Sequence, residues 1–179
     1  MTVVQQVQLE LADAEATRAF GRELARVLRA GDLVVLTGDL GAGKTTLTQG
    51  IGVGLGVRGQ VASPTFVIAR VHPPLPGTAQ PGLGEAGDRP ALVHVDAYRL
   101  GSLEEVDALD LDASLDDSVT VVEWGEGLVE GLAADRLEVA LRRPRGGELP
   151  LDLEDAATGV RLVTVTAVGE RWAGVPLPG

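Results

Sequence analysis

Leu33-Val34-Val35-Leu36-Thr37-Gly38-Asp39-Leu40-Gly41-Ala42-Gly43-Lys44-Thr45 is the stretch that decides the fold. Its first five residues are almost wholly apolar, as a strand covered on both faces of a parallel sheet must be. Gly38 to Thr45 then satisfies G-x-x-x-x-G-K-[ST] in full, and Lys44 to about Val53 can continue as a helix. Strand, glycine-rich turn and helix form the context in which this motif cradles phosphates. The glycines let the backbone curl with its N–H groups pointing inward, and the helix N-terminus adds partial positive charge. Lys44 reaches the β- and γ-phosphates, and the Thr45 hydroxyl binds Mg²⁺.

Upstream, Ala16, Phe20, Leu24, Val27 and Leu28 recur at helical spacing from Asp13 to about Arg29, with Asp13 as the N-cap and Gly31-Asp32 as the break. Downstream, short strands are expected at Thr65 to Val71, Leu92 to Val95, Val119 to Val122, Arg136 to Leu141 and Arg161 to Ala167. Helices are expected near Leu103 to Asp110, opened by a capping box of Ser102 with Glu105, and near Gly127 to Ala133. This order predicts an α/β fold built on a phosphate-binding loop. Its central sheet is mainly parallel and flanked by helices, with an antiparallel C-terminal addition. Residues 1–171 form one domain. Residues 72–90 carry five Pro and four Gly, too little apolar surface to fold alone, and read as a flexible loop. Residues 172–179 read as a flexible tail.

The chain has 179 residues, with 15 basic against 26 acidic and a formal charge of −11. So acidic a chain is repelled by phosphate backbones at long range, and its densest basic patch, Arg142, Arg143 and Arg145, is small. Tight binding of nucleic acid by the chain alone is not expected. With no Cys, disulfides, thiolate metal sites and cysteine nucleophiles are excluded. No apolar run approaches the roughly 20 residues of a membrane span, and the first residues lack a signal-peptide pattern. A cytoplasmic protein is expected. Fourteen of the basic residues are Arg and the only Lys is Lys44; there is no Asn. The Asn-Lys-x-Asp element that reads guanine is therefore missing, which favours ATP over GTP.

A phosphate loop needs an acid at the end of a neighbouring strand to hold Mg²⁺ or its waters. Leu92-Val93-His94-Val95 ends at Asp96, and Val119-Thr120-Val121-Val122 ends at Glu123; in a parallel sheet both acids gather at the ligand-binding edge. His94 shares the face of Asp96 and reads as hydrogen-bonding support. Trp124 reads as packing and His72 as solvated. Ser63-Pro64-Thr65-Phe66 is either a turn into a strand or a switch segment whose Thr65 senses the γ-phosphate. Arg99 either meets phosphate charge or pairs with Glu104 or Glu105.

Gly38 to Thr46, Ser63 to Phe66, His94 to Leu100 with Glu104 and Glu105, and Val122 to Trp124, in that order, resemble the bacterial TsaE family over about Asp13 to Leu141. The resemblance implies a Mg²⁺-dependent ATPase in the synthesis of N6-threonylcarbamoyladenosine in tRNA, working with the TsaB and TsaD proteins. Carried over, Leu40, Gly41, Ala42, Gly43, Lys44, Thr45 and Thr46 form the ATP-binding loop, and Thr45 and Glu123 hold the metal. Asp96 serves hydrolysis, Thr65 is the switch residue, and Ala14 is a nucleotide contact at the start of the first helix. Two departures stand out: a longer 72–90 loop, and a loosely matching C-terminal part in which a nucleotide contact by Arg161 would fall. Two rivals share the phosphate loop and strand-end acids: a small-molecule kinase, and a nucleotide-gated assembly module whose hydrolysis is incidental.

Overall fold

In the computed structural model, which describes residues 2–63, 68–76, 89–144 and 159–179, the apolar run Leu33–Thr37 lies inside a sheet with a parallel neighbour on each side. The elements in chain order are β1 (Val3–Leu11), α1 (Ala14–Ala25), β2 (Leu33–Thr37), α2 (Lys44–Leu55), β3 (Ala69–His72), β4 (Ala91–Asp96), α3 (Leu103–Asp107), α4 (Asp112–Leu115), β5 (Ser118–Glu123), β6 (Arg136–Arg142) and β7 (Arg161–Val168). A 3-10 turn at Glu170–Trp172 follows. Among the described residues, seven strands form one sheet in the order β1-β7-β6-β2-β5-β4-β3. The middle four are mutually parallel; β7, β1 and β3 add antiparallel at the edges.

Both faces are covered, as continuous apolar strands require. On one face, Val34, Leu36, Leu92, Val121 and Val139 pack under α1 and α2 through Phe20, Leu24, Leu47, Ile51 and Leu55. On the other, Leu33, Val35, Val93, Val95 and Val122 meet Val106, Leu111 and Val129. The two helices on the first face approach closely because glycine lines their crossing. A Cβ on Gly21 would lie 2.5 Å from the Leu47 carbonyl oxygen, and one on Gly54 2.5 Å from the Ala25 Cβ. That contact holds the α1 N-terminus, capped by Asp13 through the Ala16 N–H at 2.8 Å, beside the start of α2.

The expected α/β architecture, parallel centre and antiparallel C-terminal addition are present, and several local expectations change. An N-terminal strand, β1, precedes the helix with which the expected order began; its alternating burial and its pairing with β7 put both chain ends on one edge of the sheet. Gly127 to Ala133 is a series of turns rather than a helix, with Gly127 at φ 78 and its N–H bonded to the Glu130 side chain at 2.7 Å. Of the strand expected at Thr65 to Val71, residues 64–67 lie outside the described residues and pairing starts at Ala69. In the expected loop at 72–90, residues 77–88 are likewise outside, while Pro73 and Leu75 bond back to Arg58 and Gly56 after α2.

The residues expected as a loose tail are laid against the core instead. Trp172 is 1% exposed, and Val175 and Leu177 pack beside it. Arg171 fastens this turn, donating from Nε to Asp32 Oδ1 at 3.1 Å and from Nη2 to Asp32 Oδ2 at 3.0 Å and the Val27 carbonyl at 2.8 Å. Burial pushes the Asp32 carboxyl above its ordinary value of 3.8, outweighing the Arg29 N–H and the Arg171 guanidinium that pull it down.

Trp172→Ala removes a fully buried indole and is expected to cost about 3–5 kcal/mol in urea denaturation, whereas a free tail would cost almost nothing. The raised Asp32 value sets a pH dependence. The folded state binds the proton more tightly than the unfolded chain, so this contribution to stability is complete below about pH 3.8 and is lost as pH rises through the folded value. The stability difference between the parent and Asp32→Asn, read as urea midpoints from about pH 3.5 to about pH 6, is expected to fall as pH rises.

Candidate functional site

Every strand of the parallel centre points its carboxyl end at one edge, and the phosphate loop turns there. Gly38, Gly41 and Gly43 sit at φ 146, 77 and 109, where side-chain-bearing residues are strained. The curl delivers α2 with Gly43 as its N-cap and no side chain satisfying its first N–H groups. An uncapped helix start of this kind presents donors and the positive end of the helix dipole to an anion.

Lys44 is 5% exposed and turned back into the loop. Its Nζ donates to the Gly38 carbonyl at 2.7 Å and the Asp39 carbonyl at 3.0 Å, and lies 4.0 Å from the centre of the Trp124 ring. Burial holds the ammonium below the usual lysine range of 10.5, while Glu123, Asp96 and Asp39 work in the opposite direction. Trp124 is thus more than core packing: its face caps the loop cation, it meets Tyr98 in a T-shaped contact at 5.2 Å between ring centres, and its backbone is at φ 61. A left-handed aromatic residue is strained, and it is held here by its N–H bond to the Leu36 carbonyl at 3.1 Å.

The acids arrive through strand register. β4 and β5 pair Asp96 with Glu123, and alternation puts His94, Asp96, Val121 and Glu123 on the α2 side of the sheet. Glu123 is 3% exposed and accepts a hydrogen bond from the Thr45 hydroxyl, Oγ1 lying 3.1 Å from Oε1. Asp96 is half-buried, with Oδ1 accepting from the Tyr98 N–H at 3.0 Å. His94 supports Glu123 rather than Asp96, from 2.7 Å.

These groups line one cleft of about 440 Å³, which brings together Ala14, Leu40, Gly41, Gly43, Lys44, Thr45, Thr46, Asp96 and Glu123. Ala42 does not line it; its side chain is 2% exposed, within the core. Thr65 lies outside the described residues. The cleft also takes in Arg18, Ser63, Tyr98, Arg99, Trp124 and Arg161. Arg18 and Arg161 carry no motif, and only the α1–α2 crossing and the β6–β7 pairing bring them here. A larger opening of about 750 Å³ lies beyond the loop, between Thr37 to Asp39 and Arg142 and Arg143, and contains neither Lys44 nor either strand-end acid.

Thr45 and Glu123 form an all-oxygen pair at a helix start, the donor type that hard divalent cations take. Among the described residues there is no group of three or more His, Cys, Asp or Glu that could hold a metal unaided. The pair therefore fits an ion that brings most of its own ligands, as Mg²⁺ on phosphates does.

A family model described as "Threonylcarbamoyl adenosine biosynthesis protein TsaE" matches residues 11–148. The chain belongs to the TsaE family. It is 61% identical to the tRNA threonylcarbamoyladenosine biosynthesis protein TsaE of Streptomyces coelicolor over 87% of this chain and 93% of that one. Identity to the protein of the same name from Bacillus subtilis is 33%, over 94% and 90% of the two chains. The crystal structure of Bacillus subtilis YdiB superposes with a TM-score of 0.64 at 29% identity, covering 96% of this chain and 92% of that one. The TsaE match ends at 148, while the structural likeness covers 96% of this chain. No helix among the described residues is long and apolar enough to cross a membrane.

Proposed function

We propose that this chain is the ATP-hydrolysing subunit of the machinery that makes threonylcarbamoyladenosine in tRNA, and that it works with the TsaB and TsaD proteins. Family membership supports the pathway. The observation that carries the chemistry is the Thr45–Glu123 pair set beside Lys44 at the uncapped start of α2. In this reading the loop from Leu40 to Thr46 holds the phosphates of ATP, with Ala14 beside the nucleotide, and Thr45 and Glu123 hold Mg²⁺. The bound magnesium nucleotide supplies the phosphoanhydride bond whose cleavage resets the complex.

The chain's own residues then have defined tasks. Lys44 exchanges its two loop carbonyls for phosphate oxygens, a trade favoured because its ammonium is short of solvent where it rests. Asp96, oriented by the Tyr98 N–H, aligns the attacking water and takes its proton. Thr65 is the switch that reports the γ-phosphate to partners. With a charge of −11, the chain acts through protein partners rather than by gripping tRNA.

The kinase reading needs an arginine-rich lid over the phosphates; Arg18, Arg99 and Arg161 line the cleft from α1, the segment after β4 and the start of β7, not from such a lid. Residues 72–90 contribute only Arg89, which is 5% exposed, its Nη1 3.0 Å from where a Cβ on Gly56 would lie, at the far end of α2 from Lys44. The hydrolase is therefore preferred.

Two variants test the reading. Lys44→Ala is expected to lower ATP affinity in calorimetry by about 100-fold or more, since two or more charge-assisted hydrogen bonds are lost; retained affinity overturns the site. Asp96→Ala is expected to keep ATP affinity within about threefold and to lower phosphate release by about 100-fold or more. Label from [γ-³²P]ATP appearing in an organic acceptor rather than in free phosphate would instead support the kinase.

A further inference from the structure

Glu123 is a carboxylate inside the core, and two side chains make that tolerable. Thr45 Oγ1 lies 3.1 Å from Oε1 and 3.4 Å from Oε2, and His94 Nε2 lies 2.7 Å from Oε1. His94 has no solvent exposure. An ionised carboxylate only accepts hydrogen bonds, so the short contact requires a hydrogen on Nε2. The other ring nitrogen, Nδ1, is fully buried with no hydrogen-bond partner among the described residues. A hydrogen there would be a buried donor with nothing to accept it among the described residues, whereas one on Nε2 faces the Glu123 carboxylate.

The register explains why the ring is in place. His94 stands opposite Val121 and Asp96 opposite Glu123, so the imidazole lies one pleat deeper than the acid it serves and reaches it from the core side. Thr45 approaches from α2. A glutamate has three side-chain torsions; the Thr45 hydroxyl lies within 3.4 Å of both oxygens, and among the described residues the imidazole is the contact that singles out Oε1.

We propose that His94 is a positioning residue for the metal site. Its Nε2–H ties down Glu123 Oε1 and leaves Oε2 and the Thr45 hydroxyl to the cation. The usual arrangement, in which a carboxylate orients a metal-bound histidine, is here reversed. This inference rests on the reading of Thr45 and Glu123 as the magnesium site.

The test compares His94→Gln, His94→Asn and His94→Leu. Glutamine carries its amide nitrogen as many bonds from Cα as Nε2, asparagine carries it only at the reach of Nδ1, and leucine has no donor. Mn²⁺ binding to the ADP-loaded protein is read by electron paramagnetic resonance, and ADP binding in EDTA by calorimetry. His94→Leu and His94→Asn are expected to weaken Mn²⁺ binding by about tenfold or more while metal-free ADP affinity stays within about threefold; His94→Gln is expected to restore most of the loss. Unchanged Mn²⁺ binding in His94→Leu overturns the inference. So does a loss in His94→Gln as large as in His94→Leu, or a parallel fall in metal-free ADP affinity, either of which assigns the ring to packing. Failure of the ADP-loaded parent to bind Mn²⁺ overturns the metal reading itself, and the inference with it. The chain has two histidines, so His72→Gln leaves a single imidazole for nitrogen-15 NMR. A hydrogen on Nε2 is expected; a hydrogen on Nδ1 overturns the proposal even where the His94 variants fail to fold.

Discussion

The cleft depends on the pairing of β2 with β5, which sets Leu36 beside Glu123 and lets the Trp124 N–H bond the Leu36 carbonyl. β2 runs directly into the phosphate loop, and β5 ends in the acid and the indole that complete it. A slip of one residue would turn Glu123 to the opposite face of the sheet and move Trp124 off Lys44. Register is strongly specified here because both faces are covered by apolar packing, so the core that stabilises the fold also aligns the site.

Three buried polar side chains stand at that alignment. Lys44, Glu123 and His94 are each at most 5% exposed, and each is met by a partner: loop carbonyls and an indole face for the cation, a hydroxyl and an imidazole for the carboxylate. Fourteen arginines serve wherever a positive charge suffices, and the one lysine stands at the loop. A compact ammonium on a flexible stem can rest on two carbonyls beneath Trp124 and swing to another acceptor, which a planar guanidinium fork cannot do in the same space.

The parallel centre was legible because its strands are short apolar runs that end in acids, and the loop because its spacing is tied to a mechanism. Asp13 was legible as a cap, and it caps α1. Other features were not. β1 alternates Val7, Leu9 and Leu11 with polar residues, but an edge strand at the chain start gains its meaning only from β7. The 172–179 segment has a loop-like composition and is held by Trp172 and Arg171 through contacts more than a hundred residues away in sequence. Gly127 to Ala133 has apolar spacing fit for a helix and forms turns instead, which that spacing does not reveal.

By itself the sequence determined the phosphate loop, the two strand-end acids, the class of sheet that holds them and the family to which they belong, because each follows from local spacing and chemistry. Tertiary structure alone decided that His94 serves Glu123, that Trp124 covers Lys44 and that Arg18 reaches the same cleft, and it brought there Arg161, which the resemblance had matched only loosely. These depend on strand register, on the close α1–α2 crossing and on the return of β7, and such long-range geometry has no period or motif along the chain.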